Sequence, residues 1–201
     1  MITTVLFDLF GTLIELQHNS CPYHALVKRL STPNTRGALR QSLVNNCSSL
    51  AEFARLIGLP VQKDIGILEA ELMRDIDSAT LFEDSPPTLI KLKKKGIKIG
   101  LISNLASPYR RPVKDLELEK YFDVIVFSCE LGVAKPDPEI YKFALTKLGS
   151  AADETLMVGD SFKADIEGPA NAGITGLHLV RNGGHSKSNE IRRLDEVLER
   201  I

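Results

Sequence analysis

Residues 2–7 form an unbroken apolar, β-branched run that stops at a carboxylate, Asp8, with Gly11 close behind. A short apolar run closed by a turn residue predicts a strand buried on both faces. The same pattern returns at 97–102, 124–127, 155–158 and 176–180. Between these runs the apolar spacing widens to three and four. That predicts helices over 88–95, 112–121 and 139–148, and an amphipathic helix over 188–201 with Ile191, Leu194, Val197 and Leu198 on one face. Asp137 and Pro138 supply the cap and first position of the 139–148 helix, and Gly149 its stop. Pro169 interrupts a short helical stretch between Asp165 and Gly173. Strands alternating with helices predict an α/β fold, a doubly wound parallel sheet.

Residues 15–82 break this rhythm, because no strand-like run appears in them. Helices are predicted over 23–30, 36–45, 49–57 and 63–76. Ser49 would cap the third, with Glu52 as the reciprocal partner of a capping box and Gly58 as the stop. This block has no evident means of building a large core of its own, so it is expected to rest on the sheet as a lid. The organisation predicted is an α/β core of residues 1–14 and 83–201 with a small all-helical cap insertion, 15–82.

A chain of 201 residues is long enough for that arrangement. The formal net charge of −1 argues against nucleic-acid binding, which needs excess Lys and Arg to meet phosphates. The basic run at 91–98 reads instead as a solvated helix end closed by Gly96. Cys21, Cys47 and Cys129 form no Cys-x-x-Cys pair, so neither a disulfide framework nor a zinc knuckle is indicated, and a reducing cytoplasm fits. The first strand starts almost at Met1, leaving no room for a leader. No apolar run is long enough to span a membrane.

The strands end in Asp8, in Ser103 and Asn104, before a turn-rich loop carrying Lys135, and in Asp160 with Asp165 five residues on. An Asp before a glycine-containing turn is by itself most often a turn residue. Brought to the same sheet edge, however, three carboxylates would repel by about 4 kcal/mol per pair at 4 Å and an effective dielectric of 20. A compensating charge is required, and Lys135 with a hard, oxygen-seeking Mg²⁺ would supply it. That set suits attack on phosphorus. A carboxylate nucleophile would form an acyl phosphate, while Ser103 and backbone N–H groups hold the phosphoryl oxygens.

Asp8-x-x-Gly-Thr12, the strand-ending Ser103, Lys135-Pro-Asp-Pro and Gly159-Asp-Ser-x-x-x-Asp165, in this order, resemble the haloacid dehalogenase-like hydrolase superfamily. The resemblance implies Asp8 as nucleophile, Ser103 and Lys135 as the phosphate-holding pair, and Mg²⁺ on Asp8, Asp160 and the backbone carbonyl of Phe10. It implies further that Asp165 holds metal-bound water or Lys135, and that Thr12 braces the loop. Leu9, Phe10, Thr12 and Asn104 are the candidate substrate contacts, and the helical block is the cap that selects a small phosphorylated substrate.

One position departs from the pattern. The family's phosphatases carry a second Asp two residues after the nucleophile, as general acid and base, and here that residue is Phe10. Phenyl cannot move a proton, a service worth roughly 10²- to 10⁴-fold in rate. An aromatic there, with Ser103-Asn104 and Tyr141, resembles the metal-independent 2-haloacid dehalogenases, although Tyr141 also reads as an apolar helix position. Asp160 and Asp165 resemble the metal-using branch. The expectation is a Mg²⁺-dependent hydrolase, with a dehalogenase as the alternative and a non-catalytic phosphate-binding regulator as an alternative of another class. His18, Cys21 and His24 read as packing or solvated groups, Arg29, Arg36 and Arg40 mostly as surface charges, and His178 and His185 as lacking a partner that would make either a catalytic base. Gly183-Gly184 is too bare for a phosphate loop.

Overall fold

The computed structural model describes residues 1–30, 34–61, 63–182 and 188–201. His185 and the Gly183-Gly184 pair lie outside the described residues. In chain order the elements are β1 (Thr4–Phe7), β2 (Ile14–Leu16), α1 (Pro22–Val27), α2 (Thr35–Val44), α3 (Leu50–Leu56), α4 (Ile65–Asp77) and β3 (Ala79–Leu81). There follow α5 (Ser85–Lys94), β4 (Lys98–Ser103), α6 (Arg111–Asp115), β5 (Val124–Phe127), α7 (Ser128–Leu131) and α8 (Pro138–Leu148). The chain ends through β6 (Thr155–Gly159), α9 (Gly168–Ala170), β7 (Thr175–Leu179) and β8 (Glu190–Ile191).

Six strands form one parallel sheet in the order β5-β4-β1-β6-β7-β8. Its register explains why the central strands are apolar throughout. Val5, Ile99 and Leu156 stand abreast and bury on one face, while the next row, Leu6 and Met157, buries on the other. The first face is covered by Leu89 and Leu92 of α5 together with Leu194 and Val197, the second by Ile140, Tyr141 and Ala144 of α8. Asp137 caps α8 by accepting from the Glu139 N–H at 3.1 Å, Pro138 fills its first turn, and Gly149 closes it.

Several local expectations are corrected. Helix α5 begins at Ser85, three residues early, because a first turn has no use for the N–H groups that Pro86 and Pro87 lack. The stretch 112–121 is not one helix. Glu117 takes a left-handed conformation (φ 53°) that separates α6 from a 3-10 turn at Leu118–Tyr121. At α3, Ser49 accepts from the Glu52 N–H as expected, but the Glu52 carboxylate bonds Ser48, one residue before the cap. The helix predicted over 188–201 is replaced by β8 and a 3-10 turn at Leu194–Glu199. Glu196 accepts from the N–H groups of Arg192 and Arg193 at 2.9 Å, Asp84 accepts from Leu194 N–H at 2.9 Å, and β8 extends the sheet beside β7. These long-range bonds outweigh a marginal local propensity.

The helical insertion α1–α4 departs from the all-helical expectation in one way: it stands on a short antiparallel pair, β2 with β3, whose three-residue strands carry no readable alternation. Its own cluster, of Tyr23, Leu26, Val27, Leu50, Phe53, Leu72 and Ile76, is completed by Ala106 and Tyr109 of the loop after β4.

Two buried carboxylates fasten these parts together. Asp84 pairs with Arg181 through both oxygens at 3.0 Å, and Arg181 lies over the Phe82 ring and donates to the Thr12 carbonyl at 2.8 Å. Asp75, wholly buried, accepts from Ser20 N–H at 2.9 Å, from the Ser20 hydroxyl at 3.0 Å and from the Tyr109 hydroxyl at 3.0 Å, with His18 Nδ1 at 2.7 Å. Burial opposes both charges, but the hydrogen bonds to Asp75 and the Arg181 and Leu194 bonds to Asp84 prevail, and both carboxyls sit below the usual range. A depressed folded pKa gives stability that is present above the unfolded value, near 3.9, and is lost as pH falls through the folded one. Melting temperature is therefore expected to fall steeply below about pH 4. Asp84→Asn should cost about 3 kcal/mol at pH 7 and flatten that acid limb. Parallel pH–melting curves for the two proteins would refute this.

Candidate active site

Because β1, β4 and β6 are parallel neighbours, the residues that follow or end them share one edge of the sheet. Asp8 follows β1 directly, its N–H still bonded to the Val158 carbonyl at 2.9 Å. Ser103 is the last residue of β4 and is buried. Asp160 follows β6, and Asp165 lies on the π-helical turn Phe162–Glu167.

Lys135 reaches this edge from the loop before α8. Its ammonium, 2 % exposed, donates to Asp8 Oδ1 at 2.6 Å and to Asp165 Oδ1 at 2.7 Å. Asp165 Oδ2 accepts from Ser161 N–H at 3.0 Å. Oxygens of Asp8, Asp160 and Asp165 all lie within 4.8 Å of one another. Burial, then repulsion from Asp165 and Asp160, outweighs the pull of Lys135 and lifts the Asp8 carboxyl to about 6. Burial and Asp165 raise Asp160 as well. Lys135 is held above the usual lysine value, because Asp8 and Asp165 overcome the burial that opposes its charge.

Three carboxylates and one ammonium leave negative charge uncompensated. The donor set, hard oxygens only, fits Mg²⁺. The backbone makes room for the carboxylates in two places. At Gly11 (φ 80°) a Cβ would lie 2.4 Å from Asp160 Oδ2, and at Gly159 a Cβ would lie 2.2 Å from Asp165. Any side chain at either position would displace a carboxylate of the cluster.

The remaining predicted residues divide. Asn104 is occupied in clamping Lys135, its amide donating to the Lys135 carbonyl and accepting from the Lys135 N–H, both at 2.8 Å. Leu9 and Thr12 are wholly buried and offer no side-chain surface to a ligand. The Thr12 hydroxyl has no hydrogen-bond partner among the described residues, and the loop is braced by other bonds: Gly11 N–H to the Ile14 carbonyl, Leu13 and Ile14 N–H to the Leu9 carbonyl, and Arg181 to the Thr12 carbonyl. Phe10 is half-buried, its ring edge-on to Tyr109 at 5.9 Å. Beside it opens a cavity of about 280 Å³ between insertion and sheet, lined in part by Phe10, Tyr23, Asn104 and Tyr109. A larger surface cavity of about 780 Å³ lies within the insertion and touches none of these groups.

Residues beyond the predicted set also support the site. Tyr141 is buried and its hydroxyl donates to the Ala164 carbonyl, tying α8 to the turn that carries Asp165. His178 Nε2 lies 3.0 Å from the backbone carbonyl of Asp160. Arg29 pairs with Asp64, and Arg36 and Arg40 are exposed. Nothing in the local sequence marks Asp75, Tyr109 or Arg181, whose partners lie 34 or more residues away.

Residues 2–173 match the haloacid dehalogenase-like hydrolases, and the chain belongs to that family. A glyceraldehyde 3-phosphate phosphatase of Methanothermobacter thermautotrophicus is 32% identical over 132 residues, covering 58% of each chain. Against this and a second such phosphatase the chain spans 58% and 49% of the relative's length. A phosphoglycolate phosphatase of Pectobacterium atrosepticum is 28% identical over 97% of this chain and 87% of its own. The crystal structure of an HAD phosphatase from Thermococcus onnurineus superposes with a TM-score of 0.68 at 25% identity, covering 98% of this chain and 97% of that one. Dehalogenases share the fold as well. Among the described residues no helix is long and apolar enough to cross a membrane.

Proposed function

We propose that this chain is a Mg²⁺-dependent phosphatase of a small phosphorylated metabolite, with Asp8 as nucleophile. The observation that carries the reading is the Lys135 ammonium bridging Asp8 and Asp165 inside a three-carboxylate cluster. Lys135 occupies Asp8 Oδ1 and leaves Oδ2 without a hydrogen bond among the described residues, so Oδ2 is the attacking atom. It forms a bond to phosphorus as the ester P–O bond breaks, the leaving oxygen taking the electron pair. Water then attacks phosphorus and releases phosphate, regenerating the carboxylate. Ser103 and Lys135 hold the phosphoryl oxygens, and Asn104 fixes Lys135 through its backbone. Mg²⁺ would be held by Asp8, Asp160 and the Phe10 carbonyl, with Asp165 behind, and would neutralise charge on the phosphoryl group. The similarity to phosphatases of small metabolites supports the substrate class.

The test is a panel of acyl phosphates, phosphate esters and 2-haloacids, assayed with and without Mg²⁺. Phosphate release from acetyl phosphate only with the metal is expected. Halide release without it would select the dehalogenase reading, which one observation favours: the phenyl ring where a proton carrier would stand. Calorimetry should show Mg²⁺ binding to the wild type and its loss in Asp160→Asn, a change at an exposed position that leaves Lys135 and its partners in place. Equal binding heats would remove Asp160 from the metal site.

A further inference from the structure

The cavity beside Phe10 bears on which ester the site takes, and this step rests on the phosphatase reading. Its walls are aromatic and aliphatic: Phe10, Tyr23 and Tyr109, whose rings pack within 6.4 Å of one another through Tyr109, and Leu39 and Leu43 one helical turn apart on α2. The polar groups among the described lining residues are neutral side chains and the imidazole of His24, which is exposed at the rim. No Lys, Arg, Asp or Glu is among them. Asn104 lies on the phosphate side, and its amide is already engaged with Lys135. At about 280 Å³ the space is at or below the lower end of the roughly 300–1,000 Å³ usual for ligand pockets, so it admits a group of about one ring.

We infer that the leaving group of the physiological substrate, beyond its ester oxygen, is an uncharged apolar body the size of a single ring or a short branched chain, carrying no second anionic group. A carboxylate or second phosphate seated there would give up its water and meet no Lys or Arg among the described lining residues. Phe10 narrows the class further. With no proton supplied at that position, the leaving oxygen must depart as a stable anion, which a phenolate or a carboxylate can do and an alkoxide cannot readily do. Aryl phosphates and acyl phosphates of apolar acids meet both conditions.

Non-hydrolysable phosphonates test this without requiring turnover. Benzylphosphonate and phosphonoacetate are titrated by calorimetry into the full chain in Mg²⁺, with acetyl phosphate turnover measured separately. Benzylphosphonate is expected to bind at least about tenfold more tightly. Leu43→Lys, which adds a cation to the wall, is expected to raise phosphonoacetate affinity about fivefold or more and so narrow the gap. Leu39→Lys repeats the test from the adjacent turn if the first variant does not fold. Equal or tighter binding of phosphonoacetate to the wild type, or no binding of benzylphosphonate, would overturn the inference. Absent acetyl phosphate turnover with the benzyl preference intact would overturn the phosphatase reading and the leaving-group assignment with it, whereas turnover without a benzyl preference would overturn this inference alone.

Discussion

Asp8→Asn is expected to reduce phosphate release from acetyl phosphate by about 10⁴-fold or more while leaving the protein folded. The amide oxygen can still accept from Lys135, which keeps its second bond to Asp165, so the geometry survives. What disappears is the nucleophile, since a neutral amide does not attack phosphorus. Stability should move the other way. The cluster sets three carboxylates within 4.8 Å against one ammonium, and at that spacing each like-charge pair opposes folding by a few kcal/mol at an effective dielectric of about 20. In metal-free buffer the melting temperature of the variant is therefore expected to equal or exceed that of the wild type, as when a strained functional group is replaced. Turnover above about one per cent, with the melt unchanged, would place the nucleophile elsewhere.

Phe10→Asp is the complementary gain. A carboxyl group at this position can protonate the leaving oxygen and then activate water, a contribution of about 10² to 10⁴ in rate. The gain should appear on alkyl phosphates, whose alkoxides are poor leaving groups, and be small on aryl and acyl phosphates, which need no proton. Plotted against leaving-group pKa, wild-type rates should fall steeply and the variant's gently. Loss of the half-buried ring, which packs edge-on against Tyr109, is expected to cost about 1–2 kcal/mol, so assays belong well below the melting temperature. Phe10→Asn loses the same ring and supplies no proton. If the Asp and Asn variants behave alike, proton transfer is not what the site lacks.

The sheet and the site edge were legible because both are local in sequence. Strands buried on two faces read as continuous apolar runs, and the chemistry-bearing groups come within a few residues of where those runs stop, as Asp8, Ser103 and Asp160 do. Other features depend on partners far along the chain. The helix expected over 188–201 loses its first half to the open edge of β7 and to the Asp84 carboxylate, 110 residues before Leu194. β2 and β3 hold each other with three residues apiece, too few to show a period. Asn104 could be flagged as a strand-end polar residue, but whether it faces substrate or clamps Lys135 is decided by a loop 31 residues on. Thr12 reads as a brace, and it is its backbone carbonyl that takes that role through Arg181, its hydroxyl having no partner among the described residues.

The bond from Tyr109 to Asp75 ties the insertion to the loop after β4. Asp75 belongs to the insertion and Tyr109 to the loop after β4, and the Tyr109 ring rests against Phe10. Were the insertion to swing outward, this bond would either break or draw the phenol along with it. In the second case one wall of the cavity beside Phe10 would leave with the insertion, so that under the phosphatase reading proposed above a single displacement would set both access to the cavity and its shape.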